Sequence, residues 1–142
     1  MYCIYATIPA NTYDTIFQKS QKYSKFVLPL PRSSHGMIEF IYLEVKGHVL
    51  LFSRLSEIKE KGAQASPLLK VIHFVTYKEK GIVLMRGEVD DSKLSLQEAG
   101  ILVSLYELYY LKDDYYSLVE TFNVHPEKFN FEDLLRGLKP EK

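Results

Sequence analysis

Tryptophan is absent from this 142-residue chain, and cysteine occurs once, at Cys3. A lone cysteine excludes an internal disulfide framework and any C-x-x-C metal or redox motif. No apolar run approaches the roughly 18 residues that a membrane-crossing helix needs, so no membrane partner is expected. The start, MYCIYATIPA, has neither a basic leader nor a long apolar core. It does not read as a secretory signal, and a cytoplasmic location is the default expectation. Net charge is also missing, since 18 Lys+Arg balance 18 Asp+Glu. Walker A, G-x-G-x-x-G and G-x-S-x-G sequences do not occur, so no cofactor and no serine nucleophile are indicated. Cys3, His35, His48, His73 and His125 lack ligand-like spacing, so no metal site is expected.

What is present is an ordinary globular composition, 46% apolar and 25% charged, with eleven Tyr and eight Phe to fill a core. The balanced charge hides an asymmetry. Residues 1–90 carry twelve Lys+Arg against eight Asp+Glu, and residues 91–142 carry six against ten. The expected fold is α+β: a mostly antiparallel sheet of five to six strands with one N-terminal helix in 1–90, then an acidic three-helix segment in 91–142 packed on it, together one compact domain as this length favours.

The segment LSLQEAGILVSLYELYYL, residues 94–111, is the organising element. Ser95 and Glu98 form an S-x-x-E capping box at its start. At 3.6 residues per turn, Gln97, Gly100, Ser104 and Glu107 fall into one thin polar stripe, so the helix must be covered on two sides. Ahead of it, Tyr2–Ile8 alternates like a strand, and Asn11 or Thr12 can cap a helix from about Tyr13 to Ser24. Phe26–Leu28 is a short strand closed by Pro29 and Pro31. Arg32–Gly36 is a polar loop whose backbone amides could cradle a phosphate.

Met37–Arg54 reads as a hairpin turning at Gly47, with Met37, Ile41, Leu43, Val45, Val49 and Leu51 expected on the core side. Leu68–Lys78 and Ile82–Val89 form a second hairpin. Both of its parities are apolar, which predicts a central hairpin covered on both faces. After the long helix, Tyr115, Leu118, Val119 and Phe122 mark a short helix. Asn130 can cap a last one with Phe131, Leu134, Leu135 and Leu138 inward.

The run LVETFNVHPEKF resembles the first helix and turn of helix-turn-helix motifs, with Leu118, Phe122 and Val124 apolar around Asn123, and SLQEAGILVSLYEL as the support helix. Two extra residues lie between Phe129 and Leu134. The segment that would read DNA also carries Glu127, Glu132 and Asp133 against Lys128 and Arg136, a poor match for phosphates.

A second candidate is the polar parity of the first hairpin. Phe40, Tyr42 and Phe52 alternate with Lys46, His48 and Arg54, rings to stack on bases and cations to follow a backbone. Lys19, Lys22 and Lys25 could extend that surface. The leading expectation is therefore a non-catalytic protein that binds single-stranded nucleic acid, DNA or RNA, with the acidic helices serving self-association or a protein partner. The tyrosines Tyr106, Tyr109, Tyr110, Tyr115 and Tyr116 are the expected docking interface for a second copy or a partner, because tyrosine buries ring area while keeping a polar tip. The alternative is a structural or adaptor subunit of a protein complex with no nucleic-acid contact. A third reading is a small metal-dependent nuclease built on Glu44-Val45-Lys46, which lacks a second carboxylate of the right parity because Glu39 points away.

Overall fold

Alternating apolar residues build six strands, and a change of period after Val89 builds the helices that cover them. A computed structural model describes residues 2–32 and 36–138. The order is β1 (Tyr2–Pro9), α1 (Ala10–Lys22), β2 (Lys25–Arg32), β3 (Met37–Lys46), β4 (Val49–Arg54), α2 (Leu55–Lys61), β5 (Leu69–Phe74), β6 (Ile82–Val89), α3 (Leu96–Leu111) and α4 (Asp113–Val124). Short 3₁₀ segments follow at Pro126–Lys128 and Phe131–Leu138. All strand pairs are antiparallel, in the spatial order β1-β6-β5-β4-β3-β2. The α+β class, the six-stranded antiparallel sheet and the N-terminal helix match the expectation from sequence.

Flat, six strands would span about 24 Å, twice the ~10–12 Å diameter of a helix. Yet α3 contacts both edge strands, β1 and β2, as well as β6, α1 and α4. The sheet therefore curls round α3. The expected capping box is formed: the Glu98 amide donates to Ser95 Oγ at 3.1 Å, and the Ser95 amide donates to Glu98 Oε1 at 2.9 Å. Gln97, Gly100 and Ser104 are the exposed stripe, while Ala99, Leu102, Val103, Leu105, Tyr106, Tyr109 and Tyr110 are buried. Glu107 is half-buried, and desolvation raises its carboxyl above the usual range.

Three local expectations are corrected. First, α1 begins at Ala10, before the proposed Asn11 and Thr12 caps. Pro9 supplies a φ of −56°, and the Ala10 amide donates to the Gly81 carbonyl at 2.9 Å, so the β5–β6 connection satisfies the helix start. Second, the last helix is 3₁₀ rather than α. Third, the parity assumed across the first hairpin is wrong beyond the turn. Lys46 pairs with Val49, leaving Gly47 and His48 as a two-residue loop, with Gly47 at φ +59°. Such a loop exchanges odd for even positions, so Leu43 lies opposite Phe52 and Val45 opposite Leu50. Phe52 and Leu50 thus enter the core, and Val49 and Leu51 turn outward.

Candidate functional site

The register divides the first hairpin between two environments. On the helix side lie Phe52, fully buried, and Arg54, whose Nε donates to Glu39 Oε2 at 2.7 Å. Glu39 also faces Arg32 at 3.7 Å, and Arg32 faces Glu98 at 3.4 Å, so two arginines and two glutamates form a mutually neutralising group at the start of α3. The hydrogen bond and charge of Glu39 raise the Arg54 pKa further. Arg32 Nη2 donates to the Lys93 carbonyl at 2.6 Å and ties the segment before α3 to β2. These groups act on one another and on the backbone, which is the chemistry of a structural clasp.

His48 sits in the turn against α1. It stacks on Phe17 at 4.4 Å between ring centroids, and its Nδ1 shares a 2.6 Å hydrogen bond with the Tyr13 hydroxyl. Burial raises the Tyr13 pKa and keeps that hydroxyl protonated. His73, on the core side of β5, packs on the Tyr13 ring at 4.7 Å, and its backbone amide donates to the His48 carbonyl at 3.0 Å. Desolvation lowers the His73 imidazole to about 4. His73 is thus a core histidine, buried against α1 and the first hairpin turn.

Nor do the lysines extend a platform. Lys19 pairs with Asp113 at 2.9 Å and lies over the Tyr116 ring, docking α1 on α4. Lys22 lies over Tyr23. Lys25 is exposed at the start of β2, opposite Glu44, and its carbonyl accepts from Asn123 Nδ2 at 2.6 Å. On the outer face of the hairpin remain Tyr42, half-buried, Lys46, paired with Glu44 at 3.6 Å, and Phe40, packed on Phe131 at 4.9 Å. Of the nine residues expected to form one cationic aromatic surface, Phe40, Tyr42 and Lys46 share the outer hairpin face. The contiguous platform does not exist.

The tyrosine interface is corrected as well. Tyr106, Tyr109 and Tyr110 are buried inside the chain, with Tyr109 and Tyr110 at 0% exposure. Tyr110 donates to the Tyr23 carbonyl at 2.7 Å, Tyr109 to the Leu134 carbonyl at 2.9 Å, and Tyr116 to the Lys19 carbonyl at 2.9 Å. Tyr115 stands edge-on to Tyr109 at 5.2 Å. The rings fill the junction of α1, α3 and α4 while their hydroxyls satisfy carbonyls at the end of α1 and in the last 3₁₀ segment. For the nuclease reading, Glu44 is engaged by Lys46. Among the described residues no group of three or more His, Cys, Asp and Glu side chains could hold a metal ion. The proposed phosphate loop includes residues 33–35, outside the described residues.

What the sequence reading missed lies on the other side of the sheet. The apolar outer positions of β5 and β6 are Ile72, Phe74, Leu84 and Ile82, with Lys70, Arg86 and Glu88 on the same face, continued by Val49 on β4 and by Cys3, Tyr5 and Thr7 on β1. Phe74 is 42%, Ile82 38% and Tyr5 71% exposed. Among the described residues, α2 packs on β3 and β4, and no helix covers the outer face of β5, β6 or β1. The signal was visible: both parities of the second hairpin are apolar, and a two-sided cover was inferred from it. The chain supplies cover on one side only. No helix is long and apolar enough to cross a membrane among the described residues.

Comparison with known proteins finds relatives over most of the chain. The family model described as ATP11 protein matches residues 2–135. The human protein named "ATP synthase mitochondrial F1 complex assembly factor 1" is 35% identical over 139 residues, covering 96% of this chain and 42% of the human protein. The mouse protein of the same name is 34% identical with the same coverage. "Protein atp11, mitochondrial" of Schizosaccharomyces pombe is 36% identical over 112 residues, covering 74% of this chain and 38% of the yeast protein. The chain thus spans less than half the length of the curated relatives it matches. With the platform divided by the turn and the relatives named for assembly of a protein complex, the nucleic-acid-binding reading, DNA or RNA, is withdrawn. The chain belongs to the ATP11 protein family.

Proposed function

We propose that the chain contributes to assembly of the F1 complex of ATP synthase by binding an F1 subunit, in the manner of an assembly factor rather than a catalyst. The observation that carries this reading is the similarity to named F1 assembly factors across 96% of the chain. It is the adaptor-type alternative of the sequence reading, made specific. An uncovered apolar sheet face supports it, because contiguous exposed apolar surface is the mark of a protein-binding region. The names of the relatives also favour the mitochondrion over the cytoplasm as the place of action.

The test is direct binding. Each purified F1 subunit is titrated in turn with the chain at near-physiological salt, and single-stranded DNA and RNA are titrated in parallel. Saturable binding to one F1 subunit, with suppression of that subunit's aggregation, is the expected result. Absence of binding to every subunit would reject the proposal.

A further inference from the structure

The two edges of the sheet are treated differently. At β2, Pro29 and Pro31 remove backbone donors, Asn123 occupies the Lys25 carbonyl, and Phe122 and Phe129 pack edge-on to Phe26. At β1, the sequence YCIYATIP carries no charge and no internal proline. Among the described residues its only strand partner is β6. Tyr2, Tyr5, Ala6 and Thr7 are exposed. Natural edge strands are guarded by lysine, proline, bulges or a covering segment, and β1 has none of these within Cys3–Ile8. Its outward row of backbone N–H and C=O groups runs about 27 Å over eight residues.

This open edge is continuous with the bare apolar face, since Tyr5 pairs with Arg86, Thr7 with Leu84 and Leu84 with Phe74. Water satisfies this backbone row in the free chain, and another chain in extended conformation can replace that water along its whole length. The outer face then calls for apolar cover from the same molecule. A second copy pairing edge to edge would continue the sheet and leave the outer face of both copies bare. A larger partner answers both needs by adding one strand to β1 and laying its adjoining surface over Ile72, Phe74 and Leu84. Arg86 lies within this face between Tyr5 and Ile72 and pairs with Glu88 at 3.5 Å, so the charge nearest the open edge is already matched.

We propose that β1 and the outer face beside it are the docking surface for an extended, apolar segment of an unassembled F1 subunit, which joins the sheet as a seventh strand. This rests on the assembly reading above and adds its binding mode.

The closing experiment uses the whole chain and whichever purified F1 subunit binds it. Amide hydrogen exchange is followed residue by residue, free and bound, and affinity is measured for Tyr5→Lys with Thr7→Lys and, separately, for Phe74→Lys. These residues are exposed, so the variants should keep the circular dichroism of the parent. The expected result is new protection of alternate β1 amides on binding and at least a tenfold loss of affinity for each variant. Intact binding with no β1 protection and no variant effect would overturn strand addition while leaving the assembly role standing. Absence of any F1 binding would remove both. Protection of β1 that rises with the concentration of the chain alone would replace the F1 segment with a second copy.

Discussion

The β2 edge and the β1 edge belong to one sheet and face opposite physical problems. The first is closed by the chain itself: the segment after α4 returns across β2, packs Phe129 and Phe131 against Phe26 and Phe40, and buries Leu134. The second keeps its backbone row and its tyrosines in solvent. The proposed docking surface thus lies apart in space from the contacts that stabilise the fold. The helical side holds the aromatic core and the Arg32–Glu39–Arg54–Glu98 clasp, and the side left uncovered carries apolar residues that no part of the described chain needs.

That contrast can be broken by substitution. Phe26→Ala at the closed edge should cost about 3–5 kcal/mol in urea unfolding, because it removes a fully buried ring that meets Tyr109, Phe122 and Phe129. Acid should act on the same side. An imidazole held near 4 in the fold but near 6.5 in the unfolded chain leaves the unfolded state binding the extra proton between those values. Stability should therefore be full above about pH 6.5 and fall as pH drops toward 4, with a loss of up to about 3 kcal/mol from this group. His73→Gln should flatten that part of the profile, and an unchanged profile would remove His73 as its source.

Gly87→Ala probes what holds the open edge in place. An added Cβ would lie 2.6 Å from Ile4 Cγ1, so the Ile4 side chain or β1 itself must shift, with an expected cost of about 1–3 kcal/mol and faster amide exchange confined to β1 and β6. Global loosening instead would mean that the edge is not a separable part. Smallest of all, Tyr5→Lys should change stability by no more than about 0.5 kcal/mol. If it costs as much as Phe26→Ala, the two edges do not differ and the division of labour fails.

Much of this was legible before any coordinates. The capping box, the thin stripe of Gln97, Gly100 and Ser104 and the period-2 strands are local properties, set by helix and strand geometry within a few residues. The candidate site was much less legible. Placing Phe52 on the same face as Tyr42 assumed a loop of odd length at Gly47, and a single residue in a turn moves every following side chain to the other face. The tyrosines looked like an interface because composition alone cannot tell a ring that meets a partner from one that meets its own chain. Tyr109 and Tyr110 are settled by carbonyls of Leu134 and Tyr23, residues 25 and 87 positions away.

By itself, the sequence determined the elements, their order and the need for a cover on each apolar parity, because hydrophobic periodicity and backbone capping act over short stretches of chain. Only the tertiary structure decided which parity the chain covers, which edge it closes and which aromatic rings remain outside. Those outcomes depend on contacts between residues far apart in sequence, where register and curl, rather than composition, assign each side chain its surroundings.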